Sequence, residues 1–209
     1  MVVKEDQKQI RRLQQAVSQG LAGSGAVLSE MVGLPIEIQA PVMEIVPLNR
    51  IAEMAGGEAE VGVALYLAIA GEIEGHLLLF FSEQNAYSLV DLLLEQPVGT
   101  TAEAILKGTG ELASMETSAL SELCNVTGSF FLNALSDLTA LEITPSTPAV
   151  VKDMLGSILD YILADLSCRG DQALMVETRF VGQQGGFQGS FYLLPTPEAL
   201  GLILRRLEE

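Results

Sequence analysis

One pattern occurs twice in this 209-residue chain, and it constrains the fold more than any other feature. Near the end of each half stand a glycine, an apolar strand, a short polar turn and an amphipathic helix. The first copy reads Gly75-HLLLFFSEQNAYSLVDLLLE-Gln96 and the second Gly189-SFYLLPTPEALGLILRRLEE. Each strand runs into a helix-start signal, Ser82 with Glu83 in one copy and Thr196-Pro197-Glu198 in the other. A hydroxyl there caps free backbone amides, and proline suits the first helical position. An alternating strand precedes each copy, over Val61–Ile69 and Ala173–Val181. Each half therefore predicts a β-hairpin, with loops at Ala70–Glu74 and Gly182–Phe187.

The front of each half is helical by its apolar spacing. Lys4–Met31 puts Ile10, Leu13, Val17, Leu21, Leu28 and Met31 on one face, and Ala102–Leu138 does so with Leu112, Met115, Ala119, Leu123, Val126 and Phe130. Each front helix gives way to a short β-like stretch and a proline, PIEIQAP ending at Pro41 and LEITPSTP ending at Pro148. Val150–Leu166 (VVKDMLGSILDYILADL) predicts one further helix that the first half lacks. The glycines Gly20, Gly23 and Gly25 read as points of close helix–sheet packing. The expected fold class is α+β: a pseudo-two-fold repeat with one mainly antiparallel sheet and long helices packed on one face. Neither half could bury its sheet alone, so residues 1–209 read as a single domain of two pseudo-repeats, about 1–100 and about 101–209.

Composition narrows the function classes. Hydrophobic residues make up 49% of the chain, enough for a real core. The 27 acidic residues against 11 basic, a formal charge of −16, argue against nucleic acid and against an anionic membrane surface. One histidine, His76, and two cysteines, Cys124 and Cys168, cannot supply a four-ligand zinc site. His76 lies in the strand-like run GHLLLFF and reads as a satisfied strand residue rather than a catalytic base. No Gly-rich phosphate or dinucleotide loop is present. The polar start, Met1–Gln9, has no apolar signal region, so the expected location is cytoplasmic with reduced thiols.

The long second-half helix has an unusual polar face. At about 100° per residue, Ser118, Glu122 and Asn125 fall within about 60° of one another, and Glu111, Ser114, Ser121, Ser129 and Ser136 lie near the same line. Solvated helix faces are ordinarily rich in Glu, Lys and Arg pairs. Serine is a mediocre helix former, so helix stability does not explain the stripe. Small side chains let another surface approach the backbone closely. A serine-rich exposed face without a role is the plain alternative.

The string Ser118-x-x-x-Glu122-x-x-Asn125, followed after 22 residues by Pro148, resembles the active-site pattern of the CheC/CheX/FliY family, phosphatases of the phosphorylated chemotaxis response regulator CheY. The surrounding SALSELCNVTGSFFLNALSDL, the PVMEIVPL near the front and GEIEGHLLLFF are similar to the CheC branch, and the resemblance extends over essentially the whole chain. FliY-type members continue into a flagellar switch domain, whereas this sequence stops at Glu209, as stand-alone CheC-like proteins do. The resemblance implies that Asn125 orients the attacking water, that Glu122 docks a lysine of the receiver domain, that Ser118 is a minor contact on the same face, and that Pro148 is structural. It implies no cofactor of the protein's own, with Mg2+ expected on the response regulator.

CheC-like proteins carry the motif twice, so the first half should hold a second copy. Counting back from Pro41 puts Gln15 in the Glu position and Ser18 in the Asn position; a shift of one residue gives Ala16 and Gln19 instead. Neither register contains a Glu–Asn pair, so the first site is expected to be degenerate. The implied partner is a phosphorylated CheY-type receiver domain. The alternative function is a non-catalytic adaptor that binds CheD, the chemoreceptor deamidase, or phosphorylated CheY. Receiver domains are often acidic, so a chain of charge −16 is expected to dock through short-range contacts rather than long-range attraction.

Overall fold

The computed structural model describes residues 2–54, 59–108, 110–182 and 188–207. Helix α1 (Val2–Val32) leads into strands β1 (Ile36–Ile38) and β2 (Val42–Pro47), a 3-10 turn at Leu48–Arg50 and the short helix α2 (Ile51–Met54). The hairpin β3 (Val61–Gly71) and β4 (Gly75–Ser82) and helix α3 (Glu83–Leu93) follow. The second half runs α4 (Thr100–Lys107), α5 (Ser114–Thr139), β5 (Ile143–Pro145), β6 (Ala149–Met154), α6 (Leu155–Ser167), β7 (Gln172–Gly182), β8 (Gln188–Pro195) and α7 (Pro197–Arg206). This is an α+β fold on one antiparallel sheet in the order β1-β7-β8-β4-β3-β5, with β2 also on β7 and β6 also on β3.

The strand pairing crosses between the halves. β1 and β2 of the first half add to β7 of the second, and β5 and β6 of the second add to β3 of the first. The two hairpins meet in the middle through β4 and β8, with Leu78 opposite Tyr192. The registers repeat too. Ile38 faces Phe180 and Val42 faces Glu177, while Pro145 faces Ile69 and Ala149 faces Tyr66. Both edges therefore hold one extra residue, a bulge that breaks the edge strand in two. Pro148 sits in that break, immediately before β6.

Both helix-start signals form as read. The Ser82 hydroxyl accepts from the Asn85 amide at 3.4 Å and that of Thr196 from the Ala199 amide at 3.2 Å, with Pro197 in the first turn. The sequence loop Ala70–Glu74 narrows to Glu72–Glu74; of Gly182–Phe187, residues 183–187 lie outside the described residues. Three expectations are corrected. The helix over Ala102–Leu138 is two helices, because Gly108 and Gly110 interrupt it, the latter at φ +81°. α4 is then held at its own start by the buried Asp91 carboxylate, which accepts from the Gly99 and Thr101 amides and the Thr101 hydroxyl at 2.7, 2.9 and 2.6 Å. Val150–Leu166 is not all helix: Val150–Met154 belong to β6, paired along β3, and helix starts only at Leu155. Nor does the first half lack its counterpart, since the 3-10 turn and α2 follow β2 as α6 follows β6.

The third correction concerns the layers. Helices cover both faces of the sheet. α1, α3, α5 and α7 pack on one face over Leu65, Leu67, Leu77, Leu79, Val176 and Leu193. α6 and Ile51 of α2 pack on the other over Ala64, Leu78, Phe80, Met175, Tyr192 and Leu194. The physical reason is the run Leu77–Phe81. Successive residues of a strand point to opposite faces, so five consecutive apolar side chains require cover on both.

Within the first layer α1 and α5 lie against each other. A Cβ on Gly20 would stand 3.2 Å from the Ala134 Cβ and 3.3 Å from Phe131, so this glycine permits a close helix–helix approach. The buried Ser24 hydroxyl donates across the contact to the Thr127 carbonyl at 2.9 Å. Thr127 Oγ1 is itself buried without a partner among the described residues, although a helical threonine usually bonds back to the preceding turn.

His76 lies on the α6 face of β4. Its Nδ1 is 2.9 Å from the Tyr66 hydroxyl and its Nε2 3.2 Å from Asp165 Oδ2. Burial holds its pKa below the usual histidine value against the opposing pull of Asp165. The Asp165 carboxylate is half exposed, at 48%, and water screens its attraction.

Two outcomes follow from these contacts. A depressed histidine pKa means that the unfolded chain binds more protons just below the ordinary value, so stability should fall as pH drops through about 6.5. His76 is the only histidine. Differential scanning between pH 7.5 and 5.8 should therefore show a loss of Tm in the wild type beyond that of His76→Asn; a smaller loss would contradict the reading. Thr127→Val keeps the shape and removes an unpartnered hydroxyl, and should stabilise the fold by roughly 1 kcal/mol in urea titration.

Candidate functional site

α5 has a buried side and an exposed side. Leu120, Leu123, Cys124, Thr127, Gly128, Phe131, Leu132 and Leu135 are buried against α1 and the sheet. The apolar face read from the sequence was therefore turned too far round the helix: Met115 is 67% and Phe130 47% exposed, and Leu112 precedes the helix. The inner face includes small and polar residues, Cys124, Thr127 and Gly128, because α5 must approach its neighbours closely. A Cβ on Gly128 would meet Leu67 Cδ1 at 2.4 Å. Apolar periodicity gives such positions no weight.

Ser118, Glu122 and Asn125 lie on the outward side, all exposed, two turns of helix from end to end. Ser129 continues the line, half-buried, and Ser136 donates to the Leu141 carbonyl at 2.6 Å, serving the helix end. Glu111 falls in the turn before α5 and leaves the stripe. Among the described residues neither Glu122 nor Asn125 is held by a hydrogen bond or ion pair within the chain. A carboxylate and a carboxamide one turn apart, set on a rigid helix among small hydroxyls, present three acceptor oxygens and one amide donor pair outward.

The repeat decides between the two readings of the first half. α1 ends at Val32 and is followed by Gly33 at φ +68°; α5 ends at Thr139 and is followed by Ala140 at φ +52°. Four residues on from each helix end, β1 starts at Ile36 and β5 at Ile143, with matching registers. That correspondence sets Gln15 against Glu122 and Ser18 against Asn125; the register through Ala16 and Gln19 is one step off. Gln15 and Ser18 are exposed on α1, and the Ser18 hydroxyl donates to the Gln14 carbonyl at 2.7 Å. α1 thus presents neither a carboxylate nor an Asn at these positions.

Other nucleophiles and bases are placed away from the stripe. Cys124, adjacent to Asn125 in sequence, faces inward, and burial pushes its thiol up to about 12. His76 is on the far side of the sheet. No group of His, Cys, Asp and Glu suited to a metal ion occurs among the described residues, and no described helix is long and apolar enough to cross a membrane.

Comparison with known proteins supports this assignment of elements. Residues 115–151, which include Ser118, Glu122, Asn125 and Pro148, match the CheC-like family. Over 196 residues the chain is 28% identical to the CheY-P phosphatase CheC of Bacillus subtilis (strain 168), covering 92% of this chain and 90% of that protein. The fold superposes on Thermotoga maritima FliY with a TM-score of 0.74 at 14% identity, covering 96% of each chain. It also superposes, with a TM-score of 0.56 at 17% identity, on a chain of the CheX–CheY–BeF3–Mg2+ complex from Borrelia burgdorferi, covering 86% of this chain and 96% of that one.

The two thiols should differ sharply. At neutral pH a maleimide should modify the exposed Cys168 rapidly and Cys124 only on unfolding. Mass spectrometry of the native protein showing two fast equivalents would contradict the inward placement of Cys124.

Proposed function

We propose that the chain is a CheC-like protein, as the match of residues 115–151 and the 28% identity to a CheY-P phosphatase CheC support, and that it is a phosphatase acting on the aspartyl phosphate of a CheY-type receiver domain, in the cytoplasm, through Asn125 and Glu122 of α5. The observation that carries this reading is the exposed, internally unengaged pair Glu122 and Asn125 on one stripe of a helix whose opposite side is fixed in the core.

An acyl phosphate is hydrolysed when water attacks phosphorus in line with the departing carboxylate. The bond from water oxygen to phosphorus forms as the bond from phosphorus to the aspartyl oxygen breaks, and the carboxylate leaves as a stable anion. A receiver domain supplies its own Mg2+ and charge-neutralising groups, so the missing element is a positioned water. The Asn125 carbonyl oxygen accepts a hydrogen bond from that water, and its amide can donate to a phosphoryl oxygen. Being neutral, it adds no negative charge beside the phosphoryl group. A carboxylate at the same place would repel it. Glu122, one turn away, pairs with a receiver lysine, which registers the two surfaces and draws that lysine off its competing contact. Ser118 is small enough to let the receiver approach the α5 backbone. Pro148, in the break between β5 and β6, shapes the edge that follows α5. α1, with Gln15 and Ser18 at the corresponding positions, lacks the pair and is not the catalytic surface.

The test is phosphate loss from a phosphorylated CheY-type receiver domain. Wild type should accelerate it over autohydrolysis, and Asn125→Ala should lower kcat about a hundredfold, the usual cost of one well-aligned polar group at a transition state. Glu122→Ala should chiefly raise KM. Wild type that binds the phosphorylated receiver without accelerating phosphate loss would favour an adaptor role. Full activity in Asn125→Ala with loss in Gln15→Ala would move the site to α1.

A further inference from the structure

A polar cluster outside the stripe ties the start of α5 to the sheet. Lys152 of β6 donates from Nζ to Glu83 Oε1 at 2.6 Å, to the Tyr87 hydroxyl at 3.0 Å and to the Gly110 carbonyl at 3.2 Å. The Tyr87 hydroxyl donates in turn to Glu83 Oε1 at 2.8 Å. Three segments distant in sequence thus converge on one ammonium: the edge strand, α3, and the turn that delivers the chain into α5. The contact with Glu83 raises the lysine above its ordinary value, and the same bond lowers the Glu83 carboxyl, so both are charged at neutral pH.

The cluster stands beside the stripe. Thr117, the neighbour of Ser118, lines a groove of about 580 Å³ with Glu111, Leu112, Lys152, Asp153 and Met154. The turn containing Gly110 forms one wall of it. Two glycines make this turn deformable, and at its far end the Ala113 amide donates to Glu116 of the first helical turn at 2.5 Å. Among the described residues Lys152 is the side chain that holds the Gly110 carbonyl.

Among the described residues the opposite edge of the sheet has no such cluster. By the same strand and helix correspondences, Ile45 stands where Lys152 does, Pro197 where Glu83 does and Gly201 where Tyr87 does. The two edges of the sheet differ in the same direction twice: the edge that follows the helix with Glu122 and Asn125 carries the tie, which crosses to α3 of the first half, and the edge that follows the helix with Gln15 and Ser18 lacks it. Stability does not account for the pairing, because the two side chains are 32% and 39% exposed and such pairs add little. What the contact fixes is position.

We propose that Lys152, held by Glu83 and Tyr87, is a positioning residue that sets the turn before α5 and thereby the end of the receiver-docking surface nearest Ser118. The inference rests on the phosphatase reading for the identity of the partner. It also has a part, the ordering of the turn, that is independent of it.

The experiment compares wild type, Lys152→Met, Lys152→Arg and Tyr87→Phe. Three quantities are read: affinity for a CheY-type receiver domain activated with beryllofluoride, steady-state kinetics on the phosphorylated receiver, and amide hydrogen exchange over residues 110–117. Lys152→Met keeps the aliphatic stem and should fold. It should weaken receiver binding and raise KM about tenfold, change kcat less than about twofold, and speed exchange in the turn. Lys152→Arg should restore binding, and Tyr87→Phe should give a smaller change in the same direction. The inference is overturned if Lys152→Met lowers only Tm, if it lowers kcat with KM unchanged, or if exchange in the turn stays at the wild-type rate. Wild type that leaves the phosphoryl group untouched would sink the phosphatase reading alone, and the exchange and binding measurements would then decide the role of Lys152.

Discussion

Everything the stripe on α5 can do depends on how completely the rest of that helix is committed. Its inner side lies on the sheet and on α1, with Leu120, Leu123, Phe131, Leu132 and Leu135 buried. The contact with α1 is close because Gly20 lacks a side chain, and it is keyed by the Ser24 hydroxyl on the Thr127 carbonyl. A helix so fixed loses little further freedom on binding, so a carboxamide one turn from a carboxylate is held in register before any partner arrives. The sheet beneath provides the same rigidity. Each half donates its first two strands to the hairpin of the other, so neither hairpin is complete without the opposite half.

The repeat explains both the symmetry of the scaffold and the asymmetry of its surface. Bulged edges, positive-φ residues after α1 and α5, and hydroxyl caps on α3 and α7 recur in both halves, because packing and backbone geometry require them. Exposed positions carry no such requirement. Glu122 and Asn125 face solvent where α1 has Gln15 and Ser18, and Lys152 bridges three segments where the other edge has Ile45. The two faces thus differ in chemistry on a common core.

Much of this was legible in the sequence. The duplicated glycine–strand–cap–helix pattern marked the hairpins and their helices, and helical periodicity put Ser118, Glu122 and Asn125 on one stripe, which is exposed. Four features were hidden for physical reasons. The run Val150–Met154 has helical apolar spacing, and only its pairing with β3 makes it a strand. Cover on both faces of the sheet was implied by the unbroken apolar run of β4, but an alternating-strand reading does not use that signal. The inner face of α5 was misplaced because glycine, cysteine and threonine pack there for their size. The Lys152 cluster joins residues from α3, β6 and the turn before α5, a long-range contact with no local trace beyond three ordinary polar residues.

The central claim is that α5, and not its counterpart α1, meets the receiver domain. The most direct measurement is a binding footprint by two-dimensional NMR of isotopically labelled protein titrated with a beryllofluoride-activated CheY-type receiver. The account predicts shifts or broadening of the Asn125 side-chain amide and of the α5 backbone from Ser114 to Ser129, with the Gln15 side-chain amide unmoved. A footprint centred on Gln15 and Ser18 of α1, or on α6 with α5 unchanged, would contradict it.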